Sequence, residues 1–302
     1  MKPWYPALVA AAASFLAPPA HADLLTAVRE RLVMEQTLRG HLSRVSWRSP
    51  ALGESRTVYV YTPPGYRPNP PTPYPVVVLL HGAPGAPIDW LDRGGTHRMI
   101  DDAIHSGALP PCLVAIPDGH GPFYKGGSEW ADSIDGRCQM ETAITTDLTR
   151  FLTDHYSVSR DPSRWVIAGV SEGGYGAANL AVRHPDVFGN ALVLSGDLRV
   201  TDDFGDADAV FGTDPARRSA NSPIEALHGI PIAQRRRLHF YIAVGADDDA
   251  ELVAQAEGFR AIARSLGIAA RIDRDPGRHQ WGFWSDHLKT GLIALLPTAP
   301  TP

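Results

Sequence analysis

The stretch AGVSEGGYG, Ala168 to Gly176, decides how the rest of the chain is read. Gly169, Ser171 and Gly173 fit G-x-S-x-G, a pattern that is weak alone because glycine and serine are common in loops. Its flanks give it meaning. RWVIAGV before the serine reads as a buried strand, and EGGYGAANLAV after it reads as a helix of small residues. Strand, tight turn and helix are what a nucleophile elbow requires. The turn would lift the Ser171 hydroxyl above the carboxyl edge of the sheet, and the two glycines would leave room where side chains collide. The helix N-terminus would then aim backbone N–H groups at a developing oxyanion. The plainer alternative is a glycine-rich turn with an incidental serine.

Outward from this point the apolar runs are short and fully hydrophobic: Val76 to Leu80, Leu113 to Ile116, Trp165 to Ala168, Ala191 to Leu194 and Leu238 to Val244. Runs buried on both faces and separated by helical patterns predict an α/β fold, a mainly parallel central sheet flanked by helices. Ile144, Leu148, Phe151 and Leu152 share one helical face, and Leu252, Phe259, Ile262 and Leu266 another. Upstream, DLLTAVRERLVMEQTL has helical spacing, and RTVYVYTPPGY alternates toward a strand ending at Pro63 and Pro64. The segment Asp197 to Leu227 breaks the alternation, being polar, acidic and rich in turns. A connection of that length is expected to face substrate or to carry short helices of its own.

A serine hydroxyl needs a base to attack an ester at neutral pH. The chain holds 12 histidines. In α/β-hydrolases the order is serine, acid, histidine, which restricts the search to the C-terminal third. His279 lies in RDPGRHQWGFW, where Pro276 and Gly277 keep it out of a helix. His287, in WSDHLKTGLIALL, is the rival, with the spacing of a helix-surface histidine. HFYIAVGADDDAEL supplies Asp247, Asp248 and Asp249 as candidates for the acid, with Asp248 favoured. The others suit an acidic helix N-terminus, and the run lacks the spaced ligands of a calcium loop. VVVLLHGAPG ends a strand at His81-Gly82, so the backbone N–H of Ala83 is expected to join that of Glu172 in an oxyanion hole. Trp90, Trp130, Tyr124, Trp281 and Trp284 fall in or near predicted loops, and Trp90, Trp130 and Trp281 are candidate substrate contacts.

The ends of the chain read differently. Lys2, the apolar ALVAAAASFLA and the small residues at Ala20 and Ala22 have the form of a secretory signal peptide over 1–22, cleaved after Ala22. Its apolar run is about half of the ~20 residues a spanning helix needs, so export, secreted or periplasmic, is expected rather than stable membrane insertion. In an oxidising compartment Cys112 and Cys138 either pair or stay as two buried thiols, and sequence leaves both open. The remaining organisation is a helical lead-in over 23–50, a catalytic domain over 51–297 and a tail over 298–302. With 33 Asp+Glu against 28 Lys+Arg and no long basic run, nucleic acid is not an expected partner.

RTVYVYTPPGY, YPVVVLLHGAPG, PPCLVAIPDG, VIAGVSEGGYGAANLAVRHPDVFGNALVLSGD, VGADDD and GRHQWGFW together resemble the putative-esterase family of α/β-hydrolases. That family includes esterase D, feruloyl esterases, enterochelin esterases and the mycolyltransferases. The resemblance implies an α/β-hydrolase fold with no large separate cap domain and a Ser171, Asp248, His279 triad, the acid following the family's G-x-x-D pattern from Gly245. It implies no cofactor or metal, and a small-molecule or glycan-linked ester as substrate. One position departs from it: many relatives carry methionine after the serine, where this chain has Glu172. A carboxylate suits a helix N-terminus but would oppose an oxyanion if it turned toward it. Three activities fit these residues: serine ester hydrolysis, acyl transfer of the mycolyltransferase type, and non-catalytic binding on a hydrolase scaffold.

Overall fold

The computed structural model describes residues 20–202 and 204–296. The expected signal peptide falls outside that range except for its last three residues, which open the helix Ala20–Met34. The tail over 298–302 also lies outside the described residues.

Eight strands form one sheet: β1 (His41–Ser49), β2 (Glu54–Thr62), β3 (Val76–Leu80), β4 (Leu113–Pro117), β5 (Trp165–Val170), β6 (Asn190–Leu194), β7 (His239–Gly245) and β8 (Ala269–Asp275). Their spatial order is β1-β2-β4-β3-β5-β6-β7-β8. Pairing is antiparallel from β1 to β2 and from β2 to β4, and parallel from there on. The parallel strands β3 to β6 are buried along their whole length. Consecutive side chains therefore feed two separate cores. Val76, Val78 and Leu80 join one apolar cluster, while Val77 and Leu79 join the other on the opposite face.

One expectation needs correction. The lead-in over 23–50 is helical only as far as Met34, and His41–Ser49 is an edge strand paired with β2 along its length. The sheet of the catalytic domain thus begins before residue 51. HLSRVSWRS escapes pattern reading because it is a mixed polar strand with exposed arginines, and only Leu42, Trp47 and Ser49 are buried. For the cysteines, which sequence left open between a pair and two buried thiols, the second reading is the one found. Both are free, Cys112 packing in one core cluster and Cys138 in the other, on opposite faces of the sheet. Burial raises both thiols, to about 12 and about 11, which leaves them as unreactive apolar packing.

The long connection after β6 contains the short helices Ala207–Phe211, Pro215–Ala220 and Pro223–Ala226, and no separate cap domain rises from the described residues. Among the described residues no helix is long and apolar enough to cross a membrane.

Candidate active site

Ser171 sits between β5 and the helix Glu172–Arg183 with φ 55° and ψ −122°, a strained conformation for a non-glycine residue. Backbone bonds hold the turn: Ser171 N–H donates to the Leu194 carbonyl at 2.9 Å, and Tyr175 N–H donates to the Ser171 carbonyl at 3.0 Å. A Cβ at Gly169 would run into the Gly173 carbonyl, and one at Gly173 would run into that of Leu80. The glycines at both ends of G-x-S-x-G are there because three backbone segments cross at this point. Glu129, which lines the same cavity as Ser171, also has a positive φ, 52°.

The loop after β3 approaches from the other side. A Cβ on Gly82 would lie 3.1 Å from Ser171 Cβ and 3.7 Å from its Oγ, so this loop runs alongside the hydroxyl. Ala83, Ser171 and Glu172 line one cavity of about 350 Å³. Glu172 is the first residue of its helix, and its N–H has no intrahelical acceptor. The two expected oxyanion donors therefore border the same space as the serine. His81 anchors the loop from below. It is fully buried, which pushes its imidazole down to about 4. Its Nε2 accepts from Gly119 N–H at 3.0 Å, so its Nδ1 carries the proton and donates to the Gly82 carbonyl at 3.0 Å. With both ring nitrogens held by backbone, His81 has no lone pair for a metal, although Asp118 and His120 lie close by.

The loops after β7 and β8 carry the candidate acid and the candidate histidine. Of the three adjacent aspartates, Asp248 is the one beside His279, its Oδ1 3.3 Å from the imidazole Nδ1 and its side chain 4% exposed. Asp249 caps the helix Ala250–Ser265, accepting from Glu251 N–H at 2.8 Å. Asp247 donates its N–H to the Gly277 carbonyl at 3.0 Å, which ties the acid loop to the histidine loop. A Cβ at Gly245 would collide with that same carbonyl, so glycine is required where the two loops touch. His287 stands apart: its Nδ1 bonds the Phe283 carbonyl at 2.9 Å and its Nε2 bonds Asp275 at 2.9 Å, on the helix Trp281–Leu295.

The tryptophans mostly serve the core. Trp90 and Trp130 are 0% exposed. Trp130 lies beneath Gly119 and Gly176 and donates its indole N–H to the His81 carbonyl at 3.1 Å. Trp281 packs edge-on between Trp90 and Trp284, outside the cavity lining. The expectation that Trp90 and Trp130 touch substrate is thus corrected, because both rings fill the core under the loops; Trp281 is half-buried. Tyr124 does line the cavity. Trp284 has a different task. Its ring meets the His279 imidazole edge-to-face at 4.8 Å, while its N–H donates to Ser195 Oγ at 3.1 Å, which fixes the wall against which the imidazole rests.

Sequence reading missed Glu129 and Asp197, which line the cavity with Ser171. Burial pushes the Asp197 carboxyl up to about 6, partly offset by the nearby His279. Its position at the carboxyl end of β6, where ligand sites form in such sheets, was the available signal. Glu129 follows no motif. The Glu172 side chain folds toward the loop that holds Glu129, its Oε1 accepting from Ser128 N–H at 3.0 Å and Glu129 N–H at 2.8 Å. Burial raises the Glu172 carboxyl to about 7, and burial next to Glu172 raises that of Glu129 to about 8.

Comparisons with known proteins agree with this architecture. A protein of Corynebacterium glutamicum described as uncharacterized is 28% identical over 76% of this chain and 54% of its own length. An endo-1,4-beta-xylanase/feruloyl esterase of Xylanibacter ruminicola is 26% identical over 57% of this chain and 24% of that protein. The chain therefore spans about half or less of these two relatives. An acetyl esterase of Caldicellulosiruptor saccharolyticus is 23% identical over 70% of this chain and 79% of that protein. Among solved structures, a ferulic acid esterase superposes with TM-score 0.73 at 23% identity over 85% of this chain and 98% of that one. An S-formylglutathione hydrolase from Agrobacterium tumefaciens does so with TM-score 0.70 at 22% identity, over 87% and 98%. Both show a shared α/β-hydrolase fold. Residues 49–295 match the family model described as "Putative esterase", and the chain belongs to that family.

Proposed function

We propose that this chain is a serine carboxylic ester hydrolase. Ser171 Oγ attacks the ester carbonyl, and His279 takes its proton and returns it to the leaving alcohol. Water then releases the acid from the acyl-enzyme. Asp248, whose Oδ1 lies 3.3 Å from Nδ1, orients the ring so that Nε2 faces the serine, and it stabilises the imidazolium. The N–H groups of Ala83 and Glu172 receive the oxyanion. The observation that carries this reading is the pairing of His279 with a buried Asp248 on loops at the same sheet edge as the strained Ser171 turn. The esterases among the relatives support the same chemistry. The basic, apolar and small-residue start of the chain supports export.

Turnover of 4-nitrophenyl acetate, with acetate as product, tests the reaction. The acid is tested by three amide variants. Asp248→Asn is expected to lower kcat by about 10³- to 10⁴-fold, since an amide holds the wrong tautomer and leaves the imidazolium without a counter-charge. Asp247→Asn and Asp249→Asn are expected to stay within a few-fold of the parent, asparagine being an equally good cap at Asp249. Similar small losses at all three positions would remove Asp248 from the mechanism.

A further inference from the structure

A general base must be held as well as paired, because a ring that swings out of line costs rate even with its partner present. Asp248 holds His279 loosely. Its Oδ1 stands 3.3 Å from Nδ1, just beyond the usual N–H···O range, its Oδ2 is buried with no hydrogen-bond partner, and the imidazole is 40% exposed. Nothing in that single contact stops the ring from turning about its Cβ–Cγ bond.

Trp284 supplies the block. Its indole meets the imidazole edge-to-face at 4.8 Å and 86°, and it is a core residue that lies outside the cavity lining. The indole is itself held: its N–H donates to Ser195 Oγ at 3.1 Å, and Trp281 packs edge-on against it. Ser195 is buried, has a positive φ of 47°, and donates its own N–H to the Ala243 carbonyl of β7 at 2.9 Å. Such backbone is costly at a non-glycine residue, and here it accompanies a hydroxyl fixed against the indole. The residue before it completes the arrangement, since the Leu194 carbonyl accepts the Ser171 N–H at 2.9 Å. Two adjacent residues at the carboxyl end of β6 thus fix the Ser171 turn through a backbone bond and the wall behind His279 through a side-chain bond.

We propose that Trp284 is a positioning residue for His279 and that Ser195 is its anchor, so that the Leu194–Ser195 peptide sets nucleophile and base in register. The inference deepens the esterase reading and rests on His279 being the base. With neither Trp284 nor Ser195 lining the cavity, their effect reaches the reaction only through the imidazole.

Steady-state hydrolysis of 4-nitrophenyl acetate by Trp284→Leu, Trp284→Phe and Ser195→Ala tests the role. Trp284→Leu is expected to lower kcat by about 10²-fold, and the other two by about tenfold. KM should stay within about twofold of the parent, because His279 serves both half-reactions and no contact to substrate is lost. The double variant Ser195→Ala/Trp284→Phe should be no slower than either single one, since each removes the same bond. Adding Trp284→Leu to His279→Ala should cost nothing further, a result that a merely structural role for the indole does not give. If Trp284→Leu does not fold, Trp284→Phe takes its place in both backgrounds. A raised KM at parental kcat, or an equal loss with and without His279, overturns the proposal. His279→Ala at parental turnover would fail the hydrolase reading and this proposal with it, whereas an inactive His279→Ala beside a fully active Trp284→Leu would overturn the positioning role alone.

Discussion

Ser171→Ala is expected to lose ester turnover by on the order of 10⁴-fold or more while the protein stays folded. The substitution removes one oxygen and leaves the turn intact, since the strained backbone is held by the Leu194 and Tyr175 bonds, neither of which uses the side chain. The proposed oxyanion donors and His279 remain and would still polarise a bound ester toward water, so a small residual rate is consistent with the account. Circular dichroism and thermal unfolding on the same preparation separate loss of chemistry from loss of fold. A variant that unfolds in step with its loss of activity would leave the role of the hydroxyl to other evidence, whereas a folded variant with parental turnover would exclude Ser171 as nucleophile.

The second large effect concerns the base. His279→Ala is expected to lower kcat/KM by about 10⁴-fold or more, because serine is then left without a proton acceptor. His287→Ala supplies the contrast. Its ring is engaged by Phe283 and Asp275, so its loss should cost some stability in the helix Trp281–Leu295 and leave kcat/KM within a few-fold of the parent. Turnover lost on removing His287 and kept on removing His279 would reverse the assignment.

The parts of the molecule that sequence made legible share one property: their residues answer to local backbone demands. Strands β3 to β7 were readable because strands covered on both faces are uniformly apolar, and the elbow because only glycine survives at Gly169 and Gly173. Asp248 could be favoured over its neighbours, but distinguishing it physically needed the cap at Asp249 and the Gly277 contact of Asp247, which are tertiary facts. The illegible parts depend on long-range packing. Trp90 and Trp130 lie in loops by sequence and in the core by structure. Glu129 reaches the site through a residue of positive φ in a loop without a motif. Strand β1 hides as a polar edge whose pairing is set by β2 rather than by its own alternation. The puzzle of Glu172 was visible in advance as a charged residue beside the nucleophile. Its resolution, a side chain drawn toward Ser128 and Glu129, required the fold.

The most direct test of the central claim is covalent. Treatment of the folded protein with an alkyl fluorophosphonate, followed by intact-mass measurement and peptide mapping, should give one adduct, on Ser171, in step with loss of turnover on 4-nitrophenyl acetate. The Ser171→Ala protein should take none. A folded, active protein that hydrolyses the ester while its adduct maps to another residue, or that takes no adduct at all, would contradict the assignment of Ser171 as the nucleophile.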